Sequence, residues 1–119
     1  MADTDDQAAA ARAALEQGVR ELLANGKAGD ATARAIELYG GEVLGFLHAV
    51  GRDDDLAAEA FSVFSEDLLR GLPNFRWDAS LRTWCYALAR NALHRLRRDP
   101  RRRARNNVSL SNQAADISA

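Results

Sequence analysis

Hydrophobic residues recur every three to four positions along four stretches of the chain, and this spacing predicts four α-helices. We place the helices at residues 8–24, 31–50, 54–72 and 80–98. No stretch shows the sustained alternation of apolar and polar residues that a half-buried strand requires. The sequence therefore predicts an all-α fold, a compact bundle of three or four helices in which the last three form the core.

Cap residues mark the starts and ends of these helices. Asp30 or Thr32 can supply the N-cap of the second helix. Asp78 or Ser80 can do so for the fourth, because a short side-chain oxygen accepts from the first free backbone amides. Pro100 ends the fourth helix, since proline has no amide donor.

Two features of the first two helices bear on packing. The helix at 8–24 has a narrow apolar stripe and ends at Asn25-Gly26, so we expect it to be loosely held. Gly40-Gly41 lies in the middle of the second helix, where each glycine costs roughly 1 kcal/mol relative to alanine. This placement predicts a close helix crossing or a bend.

The predicted helix at 80–98 has two contrasting faces. Its apolar face carries Leu81, Trp84, Cys85, Leu88, Ala89, Ala92 and Leu96. Its polar face carries Thr83, Ala87, Arg90, Asn91, His94, Arg97 and Arg98. The first face is suited to a hydrophobic core and the second to an anion.

Charge is distributed unevenly along the chain. Residues 76–105 contain ten arginines against two aspartates, a charge of +8, while the remainder carries six basic and fifteen acidic residues, a charge of −9. A basic block beside aromatic residues indicates a polyanionic partner. Arginine also suits bidentate contacts with phosphates and base edges. We interpret the run at 101–105 as a solubilising tail or a non-specific phosphate contact.

Length and composition are those of one soluble domain. The chain has 119 residues, of which 47% are hydrophobic and 28% charged. Its single cysteine, Cys85, can form no intramolecular disulfide, and we interpret it as a small buried hydrophobe. We expect a cytoplasmic protein without a membrane span, monomeric in isolation.

The residues offer no basis for catalysis. Two histidines and one cysteine lie far apart in the sequence and give no zinc spacing. No glycine loop has the phosphate-binding pattern, and no nucleophile has an evident base partner. We therefore predict a protein that is not an enzyme and needs no cofactor or metal.

Three segments carry a resemblance to a known family. They are Leu38-Tyr39 with the helix around it, residues 55–61 (DLAAEAF), and residues 81–91 (LRTWCYALARN) followed by Leu93 and residues 96–98. Across residues 35–98 the chain resembles conserved region 2 of a bacterial sigma factor of the extracytoplasmic-function (ECF) group. The segment at 81–91 is the specific one.

The resemblance implies a helical promoter-reading domain. In that family, the helix matching 55–61 docks on the coiled coil of the β′ subunit of core RNA polymerase. The helix matching 81–91 and the loop before it bind the −10 promoter element as separated DNA, preferentially the non-template single strand. Many members are regulated by an anti-sigma factor, which is an expected further partner.

The sequence departs from the family pattern at two positions. Ala58 stands where glutamine is usual, which would weaken the polymerase contact. Cys85 replaces a common leucine, which we expect to change packing only.

We place an N-terminal helix and linker at 1–29, the region 2 domain at 30–100, and a basic then polar tail that begins an interdomain linker at 101–119. No module for the −35 element follows, so we expect an excised domain or a truncated product.

The loop at 73–79 supports the same interpretation on chemical grounds. A link between two packed helices needs only a few polar residues, yet this one contains Phe75 and Trp77. Aromatic rings can replace base stacking at roughly 1–3 kcal/mol per base. We predict that the loop frames a pocket for one flipped −10 base, whose edge Asn74 and Asp78 read.

The resemblance and this chemistry give two sets of candidate site residues. The predicted DNA-binding residues are Asn74, Arg76, Trp77, Asp78, Arg82, Thr83, Tyr86, Arg90, Asn91, His94, Arg97 and Arg98. The predicted polymerase-binding residues are Asp55, Glu59, Ser62, Val63 and Glu66.

Two other classes of function remain open from the sequence. One is a duplex-binding regulator of helix-turn-helix type, which would show a shorter, glycine-containing turn than the loop at 73–79. The other is a protein-binding module without DNA function, whose arginine helix meets an acidic protein.

Overall fold

The computed structural model describes the backbone of residues 2–102 and the side-chain environment of residues 4–102. Its elements are α1 (Ala2–Ala24), α2 (Ala28–Gly51), α3 (Asp54–Gly71), a 3-10 turn (Leu72–Asn74) and α4 (Leu81–Arg98). Residues 100–102 are again helical. No strand occurs in this part of the chain, which confirms the all-α prediction. The four predicted helices are present, although α1 begins six residues earlier than its apolar stripe suggested.

The hydrophobic core lies mainly between α2, α3 and α4, and α1 contributes the fully buried Val19. Its largest fully buried side chains are Phe64, Leu47, Leu68, Leu72, Leu81, Val19, Val43 and Cys85. Complete burial of a Leu or Phe side chain stabilises the fold by about 1.5–3 kcal/mol. Burial also raises the pKa of the Cys85 thiol to about 12, so the thiol stays protonated at neutral pH. The interpretation of Cys85 as a small buried hydrophobe is confirmed.

The N-caps of α3 and α4 follow from residue type. Asp53 caps α3, its carboxylate accepting from the amide of Asp55 at 2.9 Å and of Leu56 at 3.1 Å. Ser80 caps α4, its hydroxyl accepting from the Thr83 amide at 3.1 Å, as predicted.

The predicted cap of α2 is wrong. The helix begins at Ala28, before both candidates, and its N-cap residue Lys27 forms no side-chain capping bond. Thr32 instead donates its hydroxyl to the Ala28 carbonyl at 2.8 Å, the bond a threonine makes inside a helix.

Glycines serve two different purposes near α1 and α2. Gly26 has a φ of +72° and ends α1, with the Lys27 amide donating to the Leu22 carbonyl at 2.9 Å. Gly40 is buried where α2 meets α3, and a Cβ there would lie 3.6 Å from Phe61 Cζ and 3.0 Å from Ile36 Cγ2. The 3.6 Å distance to Phe61 is an ordinary van der Waals contact and Gly41 has no neighbour within 4 Å, so the close helix crossing stays a prediction.

A buried carboxylate joins α1 to the rest of the bundle. Glu16 is only 7% exposed. Its Oε1 accepts from the amide of Leu81 at 2.7 Å and its Oε2 from the amide of Arg82 at 3.1 Å. The Tyr39 hydroxyl also donates to Oε2. The expectation of a loosely held first helix is wrong, because it considered only the apolar stripe and not this carboxylate.

The Glu16 contacts are electrostatically favourable for α4. The first amides of a helix have no partners within it and carry partial positive charge, which a carboxylate neutralises. Burial and the Glu16 carboxylate raise the pKa of Tyr39, so its hydroxyl keeps the proton that it donates.

We expect Glu16→Gln to lower the free energy of unfolding by about 1.5–3 kcal/mol, since hydrogen bonds to a charged group are lost or weakened while side-chain size is kept. Urea denaturation followed by circular dichroism measures the change. Glu21→Gln, an exposed position on the same helix, is the matched control and should alter stability little. Equal stabilities of the two variants would contradict the capping role.

Candidate nucleic-acid interface

Three aromatic side chains stack where the loop joins α4. The rings of Phe75 and Trp84 are 4.5 Å apart between centroids and inclined by only 11°. The ring of Trp77 also lies close to that of Phe75, at 4.9 Å between centroids and tilted by 48°. Gly71 leaves room for this stack, because a Cβ there would lie 3.1 Å from Trp84 Cζ2. Phe75 and Trp84 thus hold the loop on the bundle.

Trp77 has an unusual backbone conformation. Its φ of +60° lies in the left-handed region, which a bulky residue adopts at a cost of about 1–3 kcal/mol. The Arg20 guanidinium carbon of α1 lies 5.2 Å from the centre of its ring. The indole is therefore held between Phe75 and Arg20.

A cavity of about 430 Å³ opens beside the aromatic stack. Its lining residues are Gly71, Asn74, Phe75, Arg76, Asp78, Ala79, Thr83, Trp84 and Ala87. Aromatic and aliphatic groups supply most of the wall, while Asn74, Asp78 and Thr83 supply hydrogen-bonding groups. A largely apolar cavity of this size with a few polar groups is typical of a small-ligand site.

The predicted DNA-binding residues of the loop separate into two groups. The structure brings Asn74, Arg76, Asp78 and Thr83 together around this cavity. Trp77 instead lines a separate cavity of about 350 Å³ between the loop and α1. Trp77 does not line the cavity of about 430 Å³, but its ring contacts Phe75, which does.

Arg82 and Tyr86 lie on the side of α4 that faces α2, and one carboxylate engages both. Arg82 Nε donates to Glu42 Oε1 at 2.7 Å, and the Tyr86 hydroxyl donates to the same oxygen at 3.0 Å. The Arg82 guanidinium carbon lies 5.2 Å from the centre of the Tyr86 ring. Glu42 raises the pKa of Arg82, so the guanidinium stays charged.

The second half of α4 presents exposed polar residues. Asn91, His94 and Arg98 line a cavity of about 640 Å³ between α3 and α4. Arg90 is exposed on the same helix. Arg97 donates to the Val50 carbonyl at 2.8 Å, where the negative end of the α2 dipole attracts a cation.

Several arginines of the basic block are engaged within the protein. Arg95 pairs with Asp67 on α3. Among the described residues, Arg76, Arg90 and Arg98 form no ion pair with another described side chain. Arg101 is exposed and likewise appears in none of these ion pairs, so four guanidinium groups of the block are the most available to an external anion.

The candidate polymerase-binding residues lie along α3. Asp55, Ser62 and Glu66 are exposed, and Glu59 and Val63 are half-buried. Asp55, Glu59, Ser62 and Glu66 recur at helical spacing with Val63 beside them, and we call this face of α3, with its three acids, the acidic surface.

Arg102 packs against the start of this surface. Its side chain is 6% exposed, with Nη1 at 2.8 Å from Glu59 Oε2 and Nη2 at 3.6 Å from Asp53 Oδ2. The interpretation as a solubilising tail or phosphate contact is therefore wrong for Arg102, because acidic groups of α3 already enclose it. Arg101 is exposed, so the interpretation stays a prediction there, and residues 103–105 lie outside the described residues.

Sequence reasoning missed Glu16, Glu42 and the partners of Arg102. Each of these contacts joins residues far apart in the sequence, and no local pattern indicates which acid has such a partner. Within residues 2–102, no three His, Cys, Asp or Glu side chains cluster closely enough to bind a metal, and no helix has the length and hydrophobicity needed to cross a bilayer.

A family model described as sigma-70 region 2 matches residues 35–103. The match covers more than half of the chain, including most of α2 and all of α3, the loop and α4. The chain belongs to the sigma-70 region 2 family. Neither the curated proteins nor the solved structures gave a significant match.

Membership of the sigma-70 region 2 family sets the general role of the chain. Domains of this family recognise promoters and bind core RNA polymerase at transcription initiation, and they are not enzymes. The resemblance noted in the sequence is therefore confirmed at the level of the region 2 family. Helix α1 lies outside the matched residues.

We expect Glu42→Gln to strengthen binding of this region 2 domain to single-stranded DNA by up to about fivefold at low salt. The Glu42 carboxylate forms a surface ion pair with Arg82, worth up to about 1 kcal/mol, and accepts a hydrogen bond from Tyr86, so a DNA phosphate must compete with it for both side chains. Fluorescence anisotropy with a labelled oligonucleotide measures the change.

The matched control for that experiment is Glu37→Gln. Glu37 is an exposed acid of α2 whose partner is Arg34, not a residue of α4. Unchanged or weaker binding by the Glu42 variant would show that the carboxylate does not compete with DNA.

Proposed function

We propose that this domain recognises the −10 promoter element and stabilises melted DNA in an ECF-group sigma factor. The observation that carries the proposal is the apolar cavity beside the Phe75–Trp84 stack, rimmed by Asn74, Asp78 and Thr83. The domain acts in the cytoplasm as a monomer until it joins core RNA polymerase.

The cavity suits a base that has left the duplex. A base inside a duplex is stacked and paired, so it can enter a side cavity only from a separated strand. The aromatic surface of Phe75 and Trp84 replaces the lost stacking, at roughly 1–3 kcal/mol per base. The preferred ligand is accordingly the non-template single strand of the −10 element.

Polar groups at the rim supply base selection. Asn74 offers a donor and an acceptor, and the Asp78 side chain offers acceptor oxygens, so together they can distinguish base edges. Arg76 lines the same cavity and forms no ion pair with a described side chain, which suits it to the neighbouring phosphate.

The exposed part of α4 continues the path of the strand. Arg90 and Arg98 bind phosphates, and Asn91 and His94 contribute hydrogen bonds along the cavity between α3 and α4. Arg82 and Tyr86 join this surface once DNA displaces Glu42. Arg97 stays a predicted DNA contact, and its guanidinium also donates a hydrogen bond to the Val50 carbonyl of α2.

The acidic surface of α3 binds the β′ coiled coil of the polymerase. Asp55, Ser62 and Glu66 are exposed for this contact. Because α3 and α4 pack side by side, the domain can hold polymerase and promoter DNA at once. An anti-sigma factor that covered either helix would block initiation.

We expect the loop to determine which base is preferred. Asn74→Ala and Asp78→Ala should each reduce the discrimination between bases at one −10 position by about fivefold, the equivalent of one hydrogen bond of about 1 kcal/mol. Anisotropy titrations with single-stranded oligonucleotides that differ only at that position measure the ratios.

Arg90→Ala is the control for base selection, because a phosphate contact weakens all sequences by a similar factor. If Asn74→Ala and Asp78→Ala both keep the parent's ratios of affinity between bases, Asn74 and Asp78 do not specify the base. Equal affinity of the parent for intact duplex and for single strands would instead favour a duplex-binding regulator.

We expect Glu66→Arg to weaken polymerase binding and to leave the fold intact, since Glu66 is exposed and the change reverses the charge at the contact. Glu59→Arg should act in the same direction and also repel Arg102. Pull-down with core polymerase measures binding. Glu37→Arg, an exposed reversal on α2, is the control, and survival of binding in both α3 variants would remove this surface from the interface.

A further inference from the structure

Helix α1 contacts the loop at 73–79, although α1 lies outside the family match at 35–103. Two of its residues, Glu16 and Arg20, are four positions apart and therefore share one face of the helix. Glu16 accepts from the first amides of α4. Arg20 lies over the ring of Trp77, 5.2 Å from its centre. One face of α1 thus touches both the loop and the start of α4.

The ring of Trp77 is connected to the base cavity by a chain of aromatic contacts. Its ring lies 4.9 Å from that of Phe75, and Phe75 stacks on Trp84 at 4.5 Å. Phe75 and Trp84 both line the cavity of about 430 Å³. A shift of the indole would therefore move a wall of that cavity.

The position of Trp77 is not secured by the loop alone. Its backbone is in the left-handed region, which is unfavourable for a bulky residue. A cavity of about 350 Å³ lies between the loop and α1, lined by Trp77, Arg20, Gln17, Glu16, Ala13, Ala79 and Ser80. With open space beside it, the indole depends on Phe75 and on Arg20 to stay in place.

We propose that Arg20 is a positioning residue for base selection, holding Trp77 by a cation–π contact so that the loop keeps the shape of its base cavity. This inference rests on the proposed function, since it assumes that the loop reads a base. Arg20 acts through Trp77 and makes no phosphate contact of its own. The residues upstream of the matched region are then part of the recognition apparatus.

The experiment compares Arg20→Gln with Arg34→Gln, which removes the same charge from an exposed position on α2. The first measurement needs no DNA. In a Trp84→Phe background, Trp77 is the only tryptophan, and acrylamide quenching of its fluorescence reports its exposure. We expect Arg20→Gln to increase the quenching constant about two- to fivefold, in line with loss of a cation–π contact, and Arg34→Gln to leave it unchanged.

The second measurement uses the chain with both tryptophans and single-stranded oligonucleotides varied at one −10 position. We expect Arg20→Gln to reduce the ratio of the affinity for the preferred base to the affinity for the other bases about two- to fivefold. The slope of the logarithm of the DNA association constant K against the logarithm of the salt concentration should equal that of the parent, because no phosphate contact is lost. Circular dichroism and the urea midpoint show whether the variant keeps its fold.

Different outcomes overturn different statements. Unchanged quenching in Arg20→Gln overturns the positioning of Trp77, and unchanged base ratios overturn the role in selection. If Arg20→Gln keeps the parent's affinity ratios between bases but lowers the slope of log K against log salt by about 0.7, Arg20 binds a phosphate directly. That result also overturns the inference. A parent that binds all four bases equally overturns the proposed function and the role in selection, while quenching still decides the positioning.

Discussion

The carboxylate of Glu16 is the contact on which the arrangement of the bundle depends. A helix start leaves amides without partners, and a buried charge without partners is costly. Here each satisfies the other, because two amides of α4 and the Tyr39 hydroxyl all donate to one side chain. The contact fixes where α4 begins, and Trp84 lies less than one turn further along. The floor of the candidate base cavity therefore depends on a residue of α1.

Local physical chemistry explains why much of the fold could be predicted. Helical periodicity located all four helices, and short-range caps such as Ser80 located one start to within a residue. The N-cap of α2 was mispredicted because the Thr32 hydroxyl can bond within its own helix just as well. The segment at 81–91 pointed to the region 2 family because its residues resemble the motif of that family, and the match to residues 35–103 confirms the family.

Long-range pairing explains what could not be predicted. Glu16 and Leu81 are 65 positions apart, and Glu42 and Arg82 are 40 positions apart. No periodicity distinguishes such acids from solvated ones. Charge counting has the same weakness: it assigned +8 to residues 76–105, yet Arg82, Arg95 and Arg102 are paired with acids of the same chain. Fewer arginines are therefore available to an external anion than the count implied, and the DNA surface that we propose is limited to the loop and the exposed part of α4.

The left-handed backbone at Trp77 sets two selective pressures against each other at a single position. Glycine adopts this conformation without strain, so a glycine there would remove the steric cost and favour a more heat-tolerant domain. The same change would delete the ring that lies between Phe75 and Arg20. A lineage that keeps tryptophan retains the strain together with the ring, a form of the general trade-off between stability and activity. A gain in thermal stability that keeps this ring would therefore have to come from positions other than residue 77.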